Sequence, residues 1–296
     1  MALAGTQEAT VARLERASRV SDIRERVATW RAAGERVALV PTMGNLHAGH
    51  SSLVDLAAGH ADRVVVSIFV NPTQFGPNED IESYPRTPEK DEAVLGAQGK
   101  TDLLFIPGVE DIYPHGTDRS VGVQLPPVAD ELCGRSRPGH FNGVASVVLR
   151  FLNIVAPDLL VVGRKDYQQM ILIARMIEDL QVDVELVSGE TVRESDGLAM
   201  SSRNRYLTAQ ERDAAPALHA ALETLAEVLR GGGADFAKHR DAALEALTEA
   251  AFRPDYLELR DAGDLSAAEP SDAKRERVLM AAAWLGRARL IDNVTV

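Results

Sequence analysis

The sequence predicts an α/β protein with a doubly wound, Rossmann-like parallel sheet, followed by a second, smaller α+β domain. Two observations predict this architecture. Short apolar, β-branched runs alternate with segments of helical period as far as about residue 190, and such runs suit strands that helices cover on both faces. After residue 190, long alanine-rich helical stretches precede strand-like pieces, which is typical of an α+β unit. We therefore divide the chain into residues 1–190 and 191–296.

The first domain is predicted to contain a series of βαβ units. Its strands are predicted at Arg36–Pro41, Arg63–Asn71, Asp102–Ile106, Leu159–Val162 and Val182–Val187. Its helices are predicted at Ser51–Ala61, Pro88–Ala97, Gly143–Val155 and Asp166–Leu180. Right-handed crossovers would make these strands parallel, and ligands of such sheets bind beyond the carboxyl ends of the strands. Functional residues are therefore expected in the loops that follow the strands.

The second domain is predicted to pair two helices with a small antiparallel sheet. The helices are predicted at Glu211–Arg230 and Ala234–Ala251, and the strands at Tyr256–Arg260, Val278–Trp284 and Ala288–Val294. The polar segment Ala262–Arg277 is predicted to be a mobile loop or the tip of a hairpin.

Composition excludes several classes of protein. The 296 residues include 32 Lys and Arg against 44 Asp and Glu, a net charge of −12, which disfavours nucleic acid and anionic membrane partners. The single cysteine, Cys133, excludes an intrachain disulfide and a cysteine-rich metal site. No apolar run is long enough to span a bilayer. We expect a cytoplasmic protein.

The first motif, PTMGNLHAGH, follows the first predicted strand. A strand, a glycine-containing turn and then a helix can deliver an anionic ligand to the N-terminus of the helix. Gly49 would let a phosphate approach the backbone, while His47 and His50 could donate hydrogen bonds to its oxygens. Two alternatives stay open from the spacing alone. The histidines could be structural, or they could bind zinc, although no cysteine and no obvious third ligand lies nearby.

Two further motifs follow later strands. Asn71 and Gln74, in FVNPTQFG, are uncharged amides suited to holding hydroxyls and carboxylates; alone, this string could be an ordinary turn. In GRKDYQQ, Lys165 offers a charge for a phosphate and Asp166 could accept hydrogen bonds from ribose hydroxyls. Asp166 is also a candidate helix N-cap, with Gln169 three residues later.

A fourth motif, VRESDGLAMSSRN, combines serines and an arginine near a flexible glycine. Its hydroxyl and guanidinium groups could form a mobile clamp for phosphates, although the string could equally be a solvated linker. Asp91 could help to hold Mg²⁺, but a carboxylate in the first turn of a helix is commonly structural. Arg137 and His140, in RPGHF, are two more candidate anion donors.

Together these motifs resemble the pantothenate synthetase (pantoate–β-alanine ligase) family. PTMGNLHAGH, SIFVNPTQF, YPRTPEKD, RPGHFNGV, GRKDYQQ, VRESDGLAMSSRNRYL and DYLELRD occur in the family's order and spacing, from about residue 36 to the end of the chain. The resemblance implies ATP-dependent ligation of pantoate and β-alanine through a pantoyl adenylate, with release of pyrophosphate and AMP. It also implies dependence on Mg²⁺, a homodimer, and a place in coenzyme A biosynthesis.

The resemblance also implies a role for individual residues. The second domain would close over the active site of the first, with His50 in the family's proton-donor position and His47 and Lys165 beside it. Pantoate would contact Gln74, Gln169 and Asn71, and β-alanine would contact Gln74. The implied ATP contacts are Met43, Gly44, Asn45, Leu46, His47, Ala48, Gly49, His50, Gly163, Arg164, Lys165, Asp166, Val192, Met200, Ser201, Ser202 and Arg203.

Two positions depart from the family pattern. Arg164 stands where Glu or Gln is usual, and Lys90 stands where some members have a second Asp beside Asp91, which weakens the case for a protein-bound Mg²⁺. Another adenylyl- or cytidylyltransferase would share the two histidines but would not need Gln74 and Gln169. A nucleotide-sensing module would have lost His47, His50 or Lys165. An aminoacyl-tRNA synthetase of class I is disfavoured by the charge and by the lack of room for an anticodon-binding domain.

Overall fold

The structure, a computed structural model, describes residues 14–76, 79, 81–82, 84–272 and 274–296. The strands are β1 (Glu15–Ala17), β2 (Val37–Thr42), β3 (Arg63–Ile68), β4 (Leu103–Phe105), β5 (Leu159–Gly163), β6 (Glu185–Gly189), β7 (Phe252–Asp261), β8 (Arg277–Leu285) and β9 (Ala288–Thr295). The helices are α1 (Val20–Ala32), α2 (Ala48–Ala58), α3 (Pro88–Gln98), α4 (Val109–Ile112), α5 (Cys133–Ser136), α6 (His140–Val155), α7 (Tyr167–Asp179), α8 (Ala209–Ala214), α9 (Ala217–Arg230) and α10 (Phe236–Glu249).

Two sheets are present within the described ranges, which confirms the predicted fold class. One sheet has six strands in the order β1-β4-β3-β2-β5-β6, and its neighbouring strands are parallel. The other has the order β7-β8-β9 and is antiparallel. The strand order changes direction between β2 and β5. In a doubly wound sheet the loops that leave two such strands diverge and open a crevice, so the ligand site is expected after β2 and β5.

The apolar strands form the core because they are covered on both faces. Residues 37–40 of β2 are completely buried, and β2 pairs with β3 on one side and β5 on the other. The edge strand β1 and helix α1 were not predicted. Only three residues form β1, and α1 buries only Ile23, Val27 and Trp30. Neither element therefore shows a strong periodicity of apolar residues in the sequence.

The second sheet is apolar on both faces and packs in two directions. Along β8, Val278, Met280 and Ala282 join the core of the parallel sheet. The alternate residues, such as Leu279 and Ala281, pack with α9 and α10. The division at residue 190 stays a prediction, since the C-terminal sheet shares a hydrophobic cluster with the parallel sheet while having a second one of its own.

Two details of the C-terminal region differ from prediction. The predicted helix Glu211–Arg230 is two helices, α8 and α9, which are separated at Pro216, because proline has no N–H for a helical hydrogen bond. The segment Ala262–Arg277 joins β7 to β8 as predicted, but Leu265 within it is fully buried in the core, so an apolar side chain anchors it. No helix among the described residues is long and apolar enough to cross a membrane.

Candidate active site

The turn after β2 is held open by a buried carboxylate. Gly44 has a φ of 78°, and a side chain there would meet the Asp91 carboxylate at 2.9 Å. The backbone N–H groups of Asn45 and Leu46 each donate to an Asp91 oxygen at 2.8 Å. Thr87 donates its hydroxyl to the same carboxylate. Asp91 therefore fixes the shape of the turn.

This arrangement does not fit the predicted role of Asp91 as a ligand of Mg²⁺. Its side chain is 1% exposed, and both of its oxygens accept hydrogen bonds from backbone N–H groups. In addition, no group of three or more His, Cys, Asp or Glu side chains that could hold a metal occurs among the residues described. The zinc alternative for the two histidines has no support for the same reason.

The two histidines of the motif cap helix α2 reciprocally. The His47 N–H donates to His50 Nδ1 at 3.2 Å, and the Gly49 N–H donates to His47 Nδ1 at 3.1 Å. A side chain at position 49 would come within 3.0 Å of the His47 ring, so glycine is required beneath it. Because Nδ1 accepts in both rings, the neutral histidines carry their proton on Nε2.

Burial keeps both histidines uncharged. It lowers the pKa of His50 to about 3, with the neighbouring His47 acting in the same direction. Burial, followed by the charge of Lys165, lowers the pKa of His47. At neutral pH each ring is therefore a neutral Nε2–H donor, placed at a helix N-terminus where an anion is favoured.

Gln74 is held at the exit of β3 by a buried network. Asn71, 1% exposed, donates to Gln74 Oε1 at 3.1 Å and to the Gly143 carbonyl. Asn71 Oδ1 accepts the Tyr113 hydroxyl at 2.7 Å. With its amide fully engaged, Asn71 orients Gln74, and a direct contact between Asn71 and a ligand stays a prediction.

The RPGHF segment supports the same glutamine from the other side. His140 Nδ1 donates to the Gln74 carbonyl at 2.7 Å, while Arg137 donates to His140 Nε2. Arg137 also makes two hydrogen bonds to Glu79, at 2.9 and 2.6 Å. Burial and the Arg137 charge lower the pKa of His140 to about 4. Arg137 is thus paired and His140 neutral, so both serve to support Gln74.

The loop after β5 presents Lys165, Asp166 and Gln169 to an interior cavity. This cavity has a volume of about 360 Å³ and lies between the parallel sheet and the C-terminal sheet, a size suited to a small-molecule ligand. The neighbouring Gln168 also lines the cavity, but its amide is bonded to the backbone at positions 128, 131 and 133. Arg164 turns away and pairs with Ser188 and Glu190 on and after β6.

The segment 192–204, which we call the clamp, lies against both the cavity and the first motif. Ser201 and Arg203 line the cavity. The Cβ atom of Met200 lies 3.9 Å from the position that a Cβ atom would occupy at Gly49. Beyond the clamp, Arg205 donates to Asn45 Oδ1 at 3.0 Å. The predicted residues of three separate motifs thus meet at one edge of the sheet.

Several residues that hold the clamp were missed in the sequence. Arg193 makes two hydrogen bonds to Asp292 of β9, at 2.6 and 2.9 Å. Arg212 pairs with Glu194 and Asp196. The signal for Asp292 was an acidic residue and an amide residue side by side after the apolar pair Leu290 and Ile291, in the strand ARLIDNVT, which predicts a buried polar contact.

Comparisons with known proteins agree with this arrangement. A family model described as pantoate-beta-alanine ligase matches residues 15–295, so the likeness begins before residue 36, where the motifs start. Pantothenate synthetase from Shewanella amazonensis is 56% identical over 93% of this chain and 96% of its own length. The counterpart from Alkalilimnicola ehrlichii is 52% identical over 95% and 97%, respectively.

Solved structures give the same result. A pantothenate synthetase structure from Thermus thermophilus has a TM-score of 0.86 and 44% identity, covering 95% of this chain and 99% of that protein. A pantoate-beta-alanine ligase from Francisella tularensis, in complex with beta-gamma ATP and beta-alanine, has a TM-score of 0.76 and 32% identity, covering 95% and 97%.

Proposed function

The chain belongs to the pantoate–β-alanine ligase family, and we propose that it joins pantoate to β-alanine through a pantoyl adenylate. In the first step a pantoate carboxylate oxygen attacks the α-phosphorus of ATP, and pyrophosphate leaves. In the second step the amine of β-alanine attacks the activated carbonyl carbon, AMP leaves, and the amine gives up a proton. The product, pantothenate, would feed coenzyme A biosynthesis.

The observation that carries the proposal is the pair of neutral histidines capping α2. Phosphoryl transfer needs in-line positioning and stabilisation of charge on the phosphate oxygens more than covalent help from the protein. The Nε2–H groups of His47 and His50 would donate to those oxygens, and so would the ammonium group of Lys165. Because the imidazoles are neutral and already fixed by the cap, they need little reorganisation when ATP binds.

The clamp and the amides supply the remaining contacts in this proposal. Ser201, Ser202 and Arg203 would follow the β- and γ-phosphates, and the segment Gly163–Asp166 would hold ribose and phosphate. Val192 would contact the adenine through its backbone. Gln74 and Gln169 would orient pantoate, with Gln74 also contacting β-alanine. The supporting observation is that these predicted groups come from separate motifs yet face one edge of the sheet.

Mg²⁺ would reach the site on the phosphates of ATP. Asp91 does not fit a role as its ligand, for the reason given above, and Mg²⁺ generally keeps several waters when it binds with substrate phosphates. Homodimer assembly and a cytoplasmic location stay predictions from the sequence. Sedimentation of the purified protein would test the first.

Pantoate-dependent exchange of pyrophosphate into ATP tests the proposal. We expect exchange to require pantoate and Mg²⁺ but not β-alanine, because the adenylate forms before the amine is needed. Exchange that appears only when β-alanine is added would contradict a separate adenylate step.

A further inference from the structure

Two adjacent residues of β9 are polar, buried and engaged with different loops. Asp292 is 4% exposed and Asn293 is 9% exposed. They lie inside the antiparallel ladder, opposite Ala281 and Met280 of β8. Successive side chains of a strand point to opposite faces of the sheet. The two side chains therefore reach out of β9 in opposite directions from one rigid pair of residues.

Asn293 holds the loop that carries Lys165. Its amide nitrogen donates to the Arg164 carbonyl at 3.0 Å and to the Lys165 carbonyl at 3.0 Å. An asparagine amide has two N–H groups, and both are used here on consecutive carbonyls. The backbone on either side of Lys165 is thereby attached to the C-terminal sheet, although Lys165 itself follows β5 of the parallel sheet.

Asp292 holds the clamp. Both of its oxygens accept from the Arg193 guanidinium, and Arg193 also donates to the Gly197 carbonyl at 3.1 Å. His219 Nδ1 lies 3.4 Å from the same carboxylate. Burial opposes ionisation of Asp292, but the nearby His219 and the hydrogen bonds from Arg193 leave its pKa below the ordinary value. The result is a charged, two-bond anchor at the start of the clamp.

The two anchors act on segments that are distant in sequence and meet in the site. The Lys165 loop leaves β5, whereas the clamp follows β6, and β9 packs against the turn Arg164–Asp166 and the turn Ser202–Tyr206. Asn293 and Asp292 are joined by one peptide bond, and the Asn293 N–H also donates to Asp292 Oδ1 at 2.8 Å. The separation of the two loops thus depends on a single short piece of β9.

We propose that Asp292 and Asn293 are positioning residues, which set the spacing between Lys165 and the clamp residues Ser201–Arg203 around the triphosphate of ATP. The inference rests on the proposed function, since it assigns these loops to ATP. Neither residue needs to touch a substrate. Their effect would be on how well the phosphate donors of the two loops are aligned when ATP binds.

The first test replaces Asn293 by leucine, whose side chain has a similar shape but no N–H group. We expect the KM for ATP in pantoate-dependent pyrophosphate exchange to rise about tenfold and the exchange rate to fall, because small misalignments of positioned groups slow reactions severely. The KM for pantoate should stay within about twofold, as one expects when a loss concerns ATP binding alone. The matched control is Val294→Ala, which removes packing from the same strand but whose apolar side chain makes no hydrogen bond to either loop.

The second test asks whether Asn293 acts through Lys165. In a Lys165→Ala background, Asn293→Leu should lower the rate of pyrophosphate exchange by less than about threefold, because effects of coupled residues are not additive. Asp292→Asn, which keeps the shape but removes the charge, should also raise the KM for ATP and leave that for pantoate unchanged. This second variant gives an independent answer should Asn293→Leu fail to fold.

Three outcomes would overturn the inference. One is a fall in melting temperature like that of Val294→Ala with an unchanged KM for ATP in both variants. Another is full additivity of Asn293→Leu with Lys165→Ala, and the third is an equal rise in the KM for pantoate. These results are distinct from failure of the proposed function, in which the unaltered protein itself would show no pantoate-dependent exchange.

Discussion

The turn at residues 43–50 and the clamp at residues 192–204 face the same site but are held by contacts of different range. In the turn, His47 and His50 bond to backbone groups within three residues, and Asp91 is its main distant tether. The clamp depends on Arg193, whose carboxylate partner Asp292 lies 99 residues further along the chain. The turn thus combines contacts that are near in sequence with one distant tether, whereas the position of the clamp depends on the C-terminal sheet.

The largest expected effect tests the turn as a source of fixed donors. His50→Ala should lower the pyrophosphate exchange rate by about 10²–10³, the usual loss for one preorganised donor to a developing charge. ATP affinity, measured by calorimetry, should change much less. The exposed His60 provides the control variant His60→Ala. Equal losses in affinity and rate would instead indicate a structural histidine, and the comparison between turn and clamp would fail.

Removing the turn's distant tether should have the next largest effect. Asp91→Asn places an amide N–H against a backbone N–H, and a lost hydrogen bond to a charged group costs about 1.5–3 kcal/mol. We expect a similar fall in the free energy of unfolding by urea, with weaker exchange. The Mg²⁺ concentration needed for half-maximal exchange should not change. A shifted Mg²⁺ requirement, absent in the exposed control Glu89→Gln, would restore the metal role of Asp91.

A fall in pH should affect the turn and the clamp differently, because their titrating groups have different pKa values. The folded pKa of His50, about 3, lies below the unfolded value near 6.5. The unfolded chain therefore binds more protons between these values, and stability falls as the pH falls through this window. The carboxyl groups of Asp196, in the clamp, and of Asp292, which anchors the clamp from β9, have lowered pKa values, so they stay ionised at pH 5.

The measurement is the free energy of unfolding at pH 7 and pH 5. His50 alone should account for a loss of about 2 kcal/mol between these values. His50→Gln should show a correspondingly shallower dependence, while His115→Gln, at an exposed position, should not. A slope unchanged by His50→Gln would mean that His50 is not held neutral by burial.

The smallest expected effect concerns the departure at Arg164. Its guanidinium pairs with Glu190 and Ser188 along the sheet edge and is 40% exposed, and exposed ion pairs contribute about 0–1 kcal/mol. Arg164→Gln should therefore change the KM for ATP by less than about fivefold, or about 1 kcal/mol. Lys165→Ala, which removes a charged phosphate donor, should impair exchange severely. The measurement is steady-state kinetics of both variants. Equal losses of exchange in Arg164→Gln and Lys165→Ala would indicate that Arg164 also binds the phosphates.

Local patterns were sufficient where local physics decides the structure. The apolar run of β2 predicted a buried strand, and residues 37–40 are completely buried. The spacing of His47 and His50 around Gly49 predicted a helix start that presents two imidazoles, since a helix cap forms from residues three apart. The same patterns predicted that functional residues would lie in the loops that follow the strands.

Other features have weak local signals. The three residues of β1 have no apolar alternation to reveal them, and they form a strand because they pair with β4. The sequence shows Asp91 only as an acid in a first helical turn, which allows either a metal ligand or a structural residue. It does not show that the carboxylate accepts hydrogen bonds from the N–H groups of Asn45 and Leu46. Asn71 appeared suited to a ligand for the same reason.

The sequence by itself determined the order of the main strands and helices, the family, and the chemical groups that can meet a phosphate. Only the tertiary structure decided how these groups are held. The partners of Arg193 and of the Lys165 loop are Asp292 and Asn293, which lie about a hundred residues or more away along the chain. Contacts across such separations depend on how two sheets pack, and the packing depends on shape and burial summed over many residues. No short stretch of sequence contains that information.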